Sequence, residues 1–102
     1  MKVVVRPRFY EDVAEEAYGL LEKAGPSVAE HWPEALWRTV EFLQTSPFAG
    51  RTRTDLNFPG IRSWRVEHFS RWLIFCGLRE DLLILYRVRS GTMNLPAMRW
   101  MF

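Results

Sequence analysis

The stretch GIRSWRVEHFSRWLIFCGLREDLLILYRVRSGTMN, Gly60 to Asn94, decides the fold. It reads as three consecutive strands, about Arg62–His68, Trp72–Leu78 and Leu82–Arg89, with arginines set into an apolar background. The links between them are short, around Phe69-Ser70-Arg71 and Arg79-Glu80-Asp81, and short links join antiparallel neighbours. Alternation orients the strands. In the last, Leu82, Ile84, Tyr86 and Val88 share one face, and Leu83, Leu85, Arg87 and Arg89 the other. The middle strand is apolar on both faces, as a central strand must be.

Upstream, Lys2 to Arg6 is a short β-branched strand that Pro7 ends. Phe9 to Lys23 repeats apolar residues at helical spacing (Phe9, Val13, Ala17), with Glu11, Asp12, Glu15 and Glu16 on the wet side. Gly25 and Pro26 form a stop, and Ser27 with Glu30 has the spacing of a capping box. A second stripe, Val28, Trp32, Ala35, Leu36, Val40 and Leu43, predicts a second helix. Pro33 either kinks it or separates its first turn. Phe48 to Pro59 has no period and reads as a loop. The expected fold is α+β, β-α-α-β-β-β, an antiparallel sheet with a helical hairpin on one face and all 102 residues in a single domain. Counting chain reversals makes the first strand antiparallel to the last. The face away from the helices is then expected to present Arg65, Arg87 and Arg89.

Charge is unevenly placed. Residues 1–50 carry five basic and eight acidic side chains, whereas residues 51–102 carry nine and four, and all nine are Arg. Such a set suits an anionic partner through bidentate contacts, or a solvated sheet face paired with helix carboxylates. Aromatic residues make up 15% of the chain, with five Trp, enough for both a core and a contact surface. One cysteine, Cys76, excludes an internal disulfide and lies in an apolar run as a buried thiol. No Cys/His metal spacing, cofactor motif or Gly-rich phosphate loop is present. Val3 to Val5 is too short for a signal peptide and no apolar run reaches membrane-spanning length, so the expected location is the cytoplasm, away from membrane.

Four pieces in order, SPFAGR (Ser46–Arg51), GIRSWRVEHF (Gly60–Phe69), RWLIFCGL (Arg71–Leu78) and LLILYRVRSGTMNLPAM (Leu82–Met98), resemble the RelE/ParE toxin superfamily of bacterial type II toxin–antitoxin systems, and its ParE-like branch in particular. The resemblance implies a growth-arresting toxin neutralised by a cognate antitoxin. ParE-like members are associated with inhibition of DNA gyrase; RelE-like members cut messenger RNA, usually on the ribosome.

Cleavage through the 2′-OH needs a base, an acid and cations on the phosphorane. By alignment to the family's His-Gly-Ala-Arg-Asp pattern, Ser90 stands where His is common, Met93 where Arg is common and Asn94 where Asp is common. None of the three can exchange a proton near neutral pH. The expected activity is therefore non-enzymatic binding, with Arg65, Arg87, Arg89, Met93, Arg99 and Trp100 as the contact residues for target or antitoxin. The alternative ribonuclease would use Arg62, Arg65, His68 and Arg71. A degenerate member serving only as an interaction domain is the third reading. His31, beside Trp32, reads as structural. The tail Leu95 to Phe102 is apolar and packs either on the domain or under a partner.

Overall fold

The computed structural model describes residues 1–56 and 58–91 of the chain. Strand β1 (Lys2–Val5) leads into helices α1 (Pro7–Ala24) and α2 (Pro26–Thr45), followed by β2 (Arg51–Thr52), β3 (Arg62–Val66), β4 (Phe69–Arg79) and β5 (Leu82–Ser90). The strands form one five-stranded sheet in the order β1-β5-β4-β3-β2. The architecture is α+β, as expected, with one strand more than the sequence suggested.

That extra strand corrects the topology. β2 lies inside the segment read as loop and pairs antiparallel with β3. It adds one chain reversal, so the direction count changes parity. β1 accordingly runs parallel to β5, from Lys2 opposite Leu82 to Val5 opposite Leu85, and not antiparallel. The sheet is mixed.

The helices begin and end where backbone chemistry dictates. Pro7 occupies the first turn of α1, where a missing N–H costs nothing. Gly25 alone joins α1 to α2 with φ of 91°, a conformation that favours glycine. α2 starts at Pro26, so Ser27 falls inside the first turn and makes no capping bond; the capping box is not formed. The helix continues through Pro33 as one element. Thr39 ties α2 to the sheet: its Oγ1 donates to the Ala35 carbonyl (2.7 Å) and accepts the Glu67 N–H (2.9 Å). The β3–β4 turn is Glu67-His68 rather than Phe69-Ser70-Arg71, with His68 at φ of 64°.

Phe9, Leu20, Trp32, Leu36 and Leu43 of the hairpin meet Val66, Ile74, Leu83, Leu85 and Val88 of the sheet in the main core. Side chains of this size contribute about 1.5–3 kcal/mol each on full burial. A smaller cluster lies on the opposite face, where Leu56 and Ile61 of the long loop cover Phe75, with Leu73 and Tyr86 beside it. Burial on both faces explains why β4 is apolar throughout.

Strict alternation fails in β5. Phe75 pairs with Arg87 but Cys76 pairs with Leu85, which leaves Tyr86 as the extra residue of a β-bulge. The bulge shifts the pattern by one. Val88 therefore joins Leu83 and Leu85 in the helix-side core, while Tyr86 stays on the other face.

Candidate functional site

β1 ends at Val5, and the Arg6 N–H makes the last bond to its neighbour, the Leu85 carbonyl (3.0 Å). Past that point, among the described residues, no strand lies beside that edge of β5, and a side chain of α1 bonds to it. The Asp12 carboxylate accepts the Val88 backbone N–H at 3.1 Å. It also accepts Arg87 Nε (2.6 Å) and Nη2 (2.9 Å), and Arg89 Nη1 (3.2 Å). Asp12 is 2% exposed and Arg87 9%. Arg89 extends the cluster to Glu15 (2.8 Å) and Glu16 (3.8 Å), and the Trp72 indole N–H donates to Glu16 (2.8 Å). Burial works to lower the Arg89 pKa, but the hydrogen bond to Glu15 and the charges of Asp12 and Glu16 outweigh it and raise it, so the guanidinium stays charged.

The three arginines expected on one open face are thus divided. Arg87 and Arg89 reach back to α1, through the gap that β1 leaves at the sheet edge. Arg65 is exposed. Its guanidinium lies 5.0 Å from the centroid of the Trp64 ring. Asp12, read from the sequence as a solvent-face carboxylate, is the residue that reading missed. The one available signal was its place three residues after Phe9, on the side of α1 that faces the core.

The four residues of the ribonuclease alternative also separate. Arg65 and His68 line one groove between α2 and β3, together with Arg38, Thr39, Phe42, Trp64 and Glu67. Arg62 is not part of that groove: its Nη1 donates to the Gly50 carbonyl (2.8 Å) and its guanidinium sits 5.3 Å from the Phe48 ring centroid. Arg71 lines a different groove with Ser70, Leu73 and Gly91. The His68 side chain is 75% exposed, with Nε2 3.7 Å from Glu67. Met93, Asn94, Arg99 and Trp100 lie outside the described residues.

Other chemistry-bearing groups are in structural roles. Burial pushes the Cys76 thiol up to about 11, against a smaller opposing pull from the Arg62 charge. His31 Nδ1 lies 2.6 Å from the Ser27 carbonyl, one turn back along α2. Among the described residues, no group of three or more His, Cys, Asp or Glu side chains is arranged to hold a metal ion. No described helix is long and apolar enough to cross a membrane.

The outer side of the hairpin carries exposed apolar surface. Tyr10, Tyr18 and Leu21 are 56%, 65% and 45% exposed. Tyr18 and Leu21 line a shallow groove with Ala17, Pro26, Ala29 and Glu30. Large exposed apolar side chains gathered on one face mark a contact surface.

Comparison with known proteins agrees with this geometry. A solved structure described as a chromosomal ParDE TA system from P. aeruginosa has the same fold: TM-score 0.74 and 17% identity, over 88% of this chain and 95% of that one. No curated protein matches the sequence significantly. The family profile described as ParE toxin of type II toxin-antitoxin system, parDE, matches residues 3–95, nearly the whole chain. The chain therefore belongs to the ParE toxin family of type II toxin–antitoxin systems.

Proposed function

We propose that this toxin works by binding a protein target, DNA gyrase, in the cytoplasm, without cutting RNA. The supporting observation is the Asp12 clamp. Arg87 and Arg89 are the two cations of β5 that could stabilise a phosphorane, and both are bound to carboxylates of α1. Their charge is largely neutralised within the fold, and the set a ribonuclease would use is divided, with Arg65 and His68 in one groove and Arg62 and Arg71 elsewhere. At the end of the same strand stands Ser90, a residue without acid–base capacity near neutral pH.

A cognate antitoxin is the second partner in this proposal. The exposed Tyr10, Tyr18 and Leu21 of the hairpin supply the apolar surface for it to cover. Covering these two aromatic rings and a leucine gives such a contact an apolar component.

Purified protein added to a gyrase supercoiling assay is expected to block supercoiling at micromolar concentration, and co-purified antitoxin to restore it. Supercoiling that proceeds unchanged at that concentration overturns the gyrase assignment. Cleaved messenger RNA in a translation reaction containing the protein overturns the non-enzymatic one.

A further inference from the structure

The groove between α2 and β3 has no part in the clamp or in the hairpin surface, and the geometry points to it as a docking site for an extended acidic segment of a partner protein. The floor is aromatic. Phe42, 44% exposed, stacks on Trp64 with ring centroids 5.7 Å apart and planes at 27°. Arg65 caps the Trp64 ring, and Arg38, with its side chain 55% exposed, stands at the rim beside His68. Glu67 is the one carboxylate lining the groove, and it sits 3.6 Å from Arg38 and 3.7 Å from His68, too far for good hydrogen bonds. The balance of charge favours an incoming anion, which would replace those loose contacts with shorter ones.

The backbone beside the groove indicates what carries the anion. β2 pairs only with Arg62 and Ser63, and among the described residues no strand accompanies β3 beyond them on that side. The Ile61 carbonyl accepts the Arg53 N–H (2.8 Å) and Ser63 stands opposite Arg51, so odd-numbered positions here turn their backbone groups toward β2. Glu67, further along, gives its N–H to Thr39. By the same alternation Arg65, between them, turns its N–H and C=O to the side where no described strand lies. An extended peptide can satisfy both as an added strand. Side chains of an added strand alternate. One set would reach the Phe42–Trp64 floor and the other the Arg65 guanidinium, so the fitting segment alternates apolar and acidic residues. This inference is independent of whether gyrase is the target.

The test is a titration of the isotopically labelled full chain with a short synthetic peptide alternating Glu and Val. Controls are its Lys-for-Glu counterpart and oligothymidylate. The acidic peptide is expected to shift the backbone amides of Arg65 and Glu67 and the Trp64 indole. Arg65→Glu is expected to weaken binding about tenfold, the scale of losing one charge-assisted contact. Phe42→Ser should weaken it as well, while Arg79→Glu, at the far end of β4, leaves it unchanged. Four results each overturn the proposal: equal binding of the Lys peptide, stronger movement of the same resonances by oligothymidylate, the same shifts on concentrating the protein alone, or acidic-peptide binding absent or insensitive to Arg65→Glu.

Discussion

Asp12 on α1 holds Arg87 on β5 through two hydrogen bonds of 2.6 and 2.9 Å, with both residues buried. The pair joins elements 75 positions apart in the chain. It does so just past the point where β1 stops pairing with β5. The same carboxylate takes the Val88 N–H and a bond from Arg89, whose charge Glu15 and Glu16 also balance, so one side chain ties α1 to three successive residues of β5.

Removing that carboxylate takes away the acid that balances the buried Arg87 charge. Asp12→Ala is expected to lose about 3–5 kcal/mol of stability, the cost of breaking a buried ion pair from one side. Replacing both members, Asp12→Leu with Arg87→Leu, should recover part of the loss, because the uncompensated charge goes too. Urea unfolding of the three variants and the parent checks this. A double variant no more stable than Asp12→Ala would show that the lost Val88 N–H bond, common to both, and not the uncompensated charge, carries the effect.

Much of the fold was legible because it rests on period. The 3.6-residue stripes of α1 and α2 and the apolar runs of β4 and β5 are local patterns, and each leads to its element. What was not legible depends on contacts distant in sequence. β2 is two residues long and exists because β3 lies beside it, so nothing in Arg51-Thr52 announces it. The bulge at Tyr86 adds one residue to β5, and from there alternation puts Val88 on the wrong face. The arginine site failed for the same reason. Sequence spacing makes Arg65, Arg87 and Arg89 equivalent, whereas a carboxylate on α1 withdraws two of them.

Gly77 and Tyr86 form a second long-range fit. A Cβ at position 77 would lie 3.0 Å from Tyr86 Cε2 and 3.6 Å from the Gly60 carbonyl oxygen. The Tyr86 ring packs where a side chain at 77 would stand, with Phe58 tilted against it at 5.7 Å. Gly77→Ala is therefore expected to destabilise by about 1–3 kcal/mol, as overpacking does. In a Tyr86→Ser background the same substitution should cost clearly less. Thermal unfolding of the four proteins in the cycle measures the coupling, and an unchanged cost would mean that the Tyr86 ring is not the obstacle.

The long loop is pinned by Arg53, which is buried and donates to Asp55 at 2.8 and 2.5 Å and to Ser63 Oγ at 3.1 Å. The hydrogen bonds from Arg53 hold the Asp55 pKa down at about 2. A depressed folded-state pKa adds stability above the unfolded value of about 3.9, and that stability fades as pH falls toward the folded value. The window is thus roughly pH 4 down to pH 2. Over it the parent protein should lose more stability than Asp55→Asn, and the gap should narrow in high salt because the Asp55 side chain is 38% exposed. Parallel pH profiles for the two proteins would remove the ion pair from the account.

Cys76 reports on how the whole sheet opens. It is 1% exposed in β4, between β3 and β5, and its thiol is held at about 11 by burial. At pH near 8 the native protein should barely react with a thiol reagent, and the unfolded chain in denaturant should react at the rate of an ordinary cysteine. Since neighbouring strands flank β4 on both sides, exposing Cys76 requires the sheet to come apart, and labelling in native buffer should follow global unfolding. Asp12→Ala then supplies the decisive comparison. If it loses about 3 kcal/mol, its labelling should be about a hundredfold faster than the parent's, one decade for each 1.4 kcal/mol. Equal labelling rates in the two proteins would mean that Cys76 is reached by a local opening of β4 that leaves the Asp12–Arg87 clamp closed.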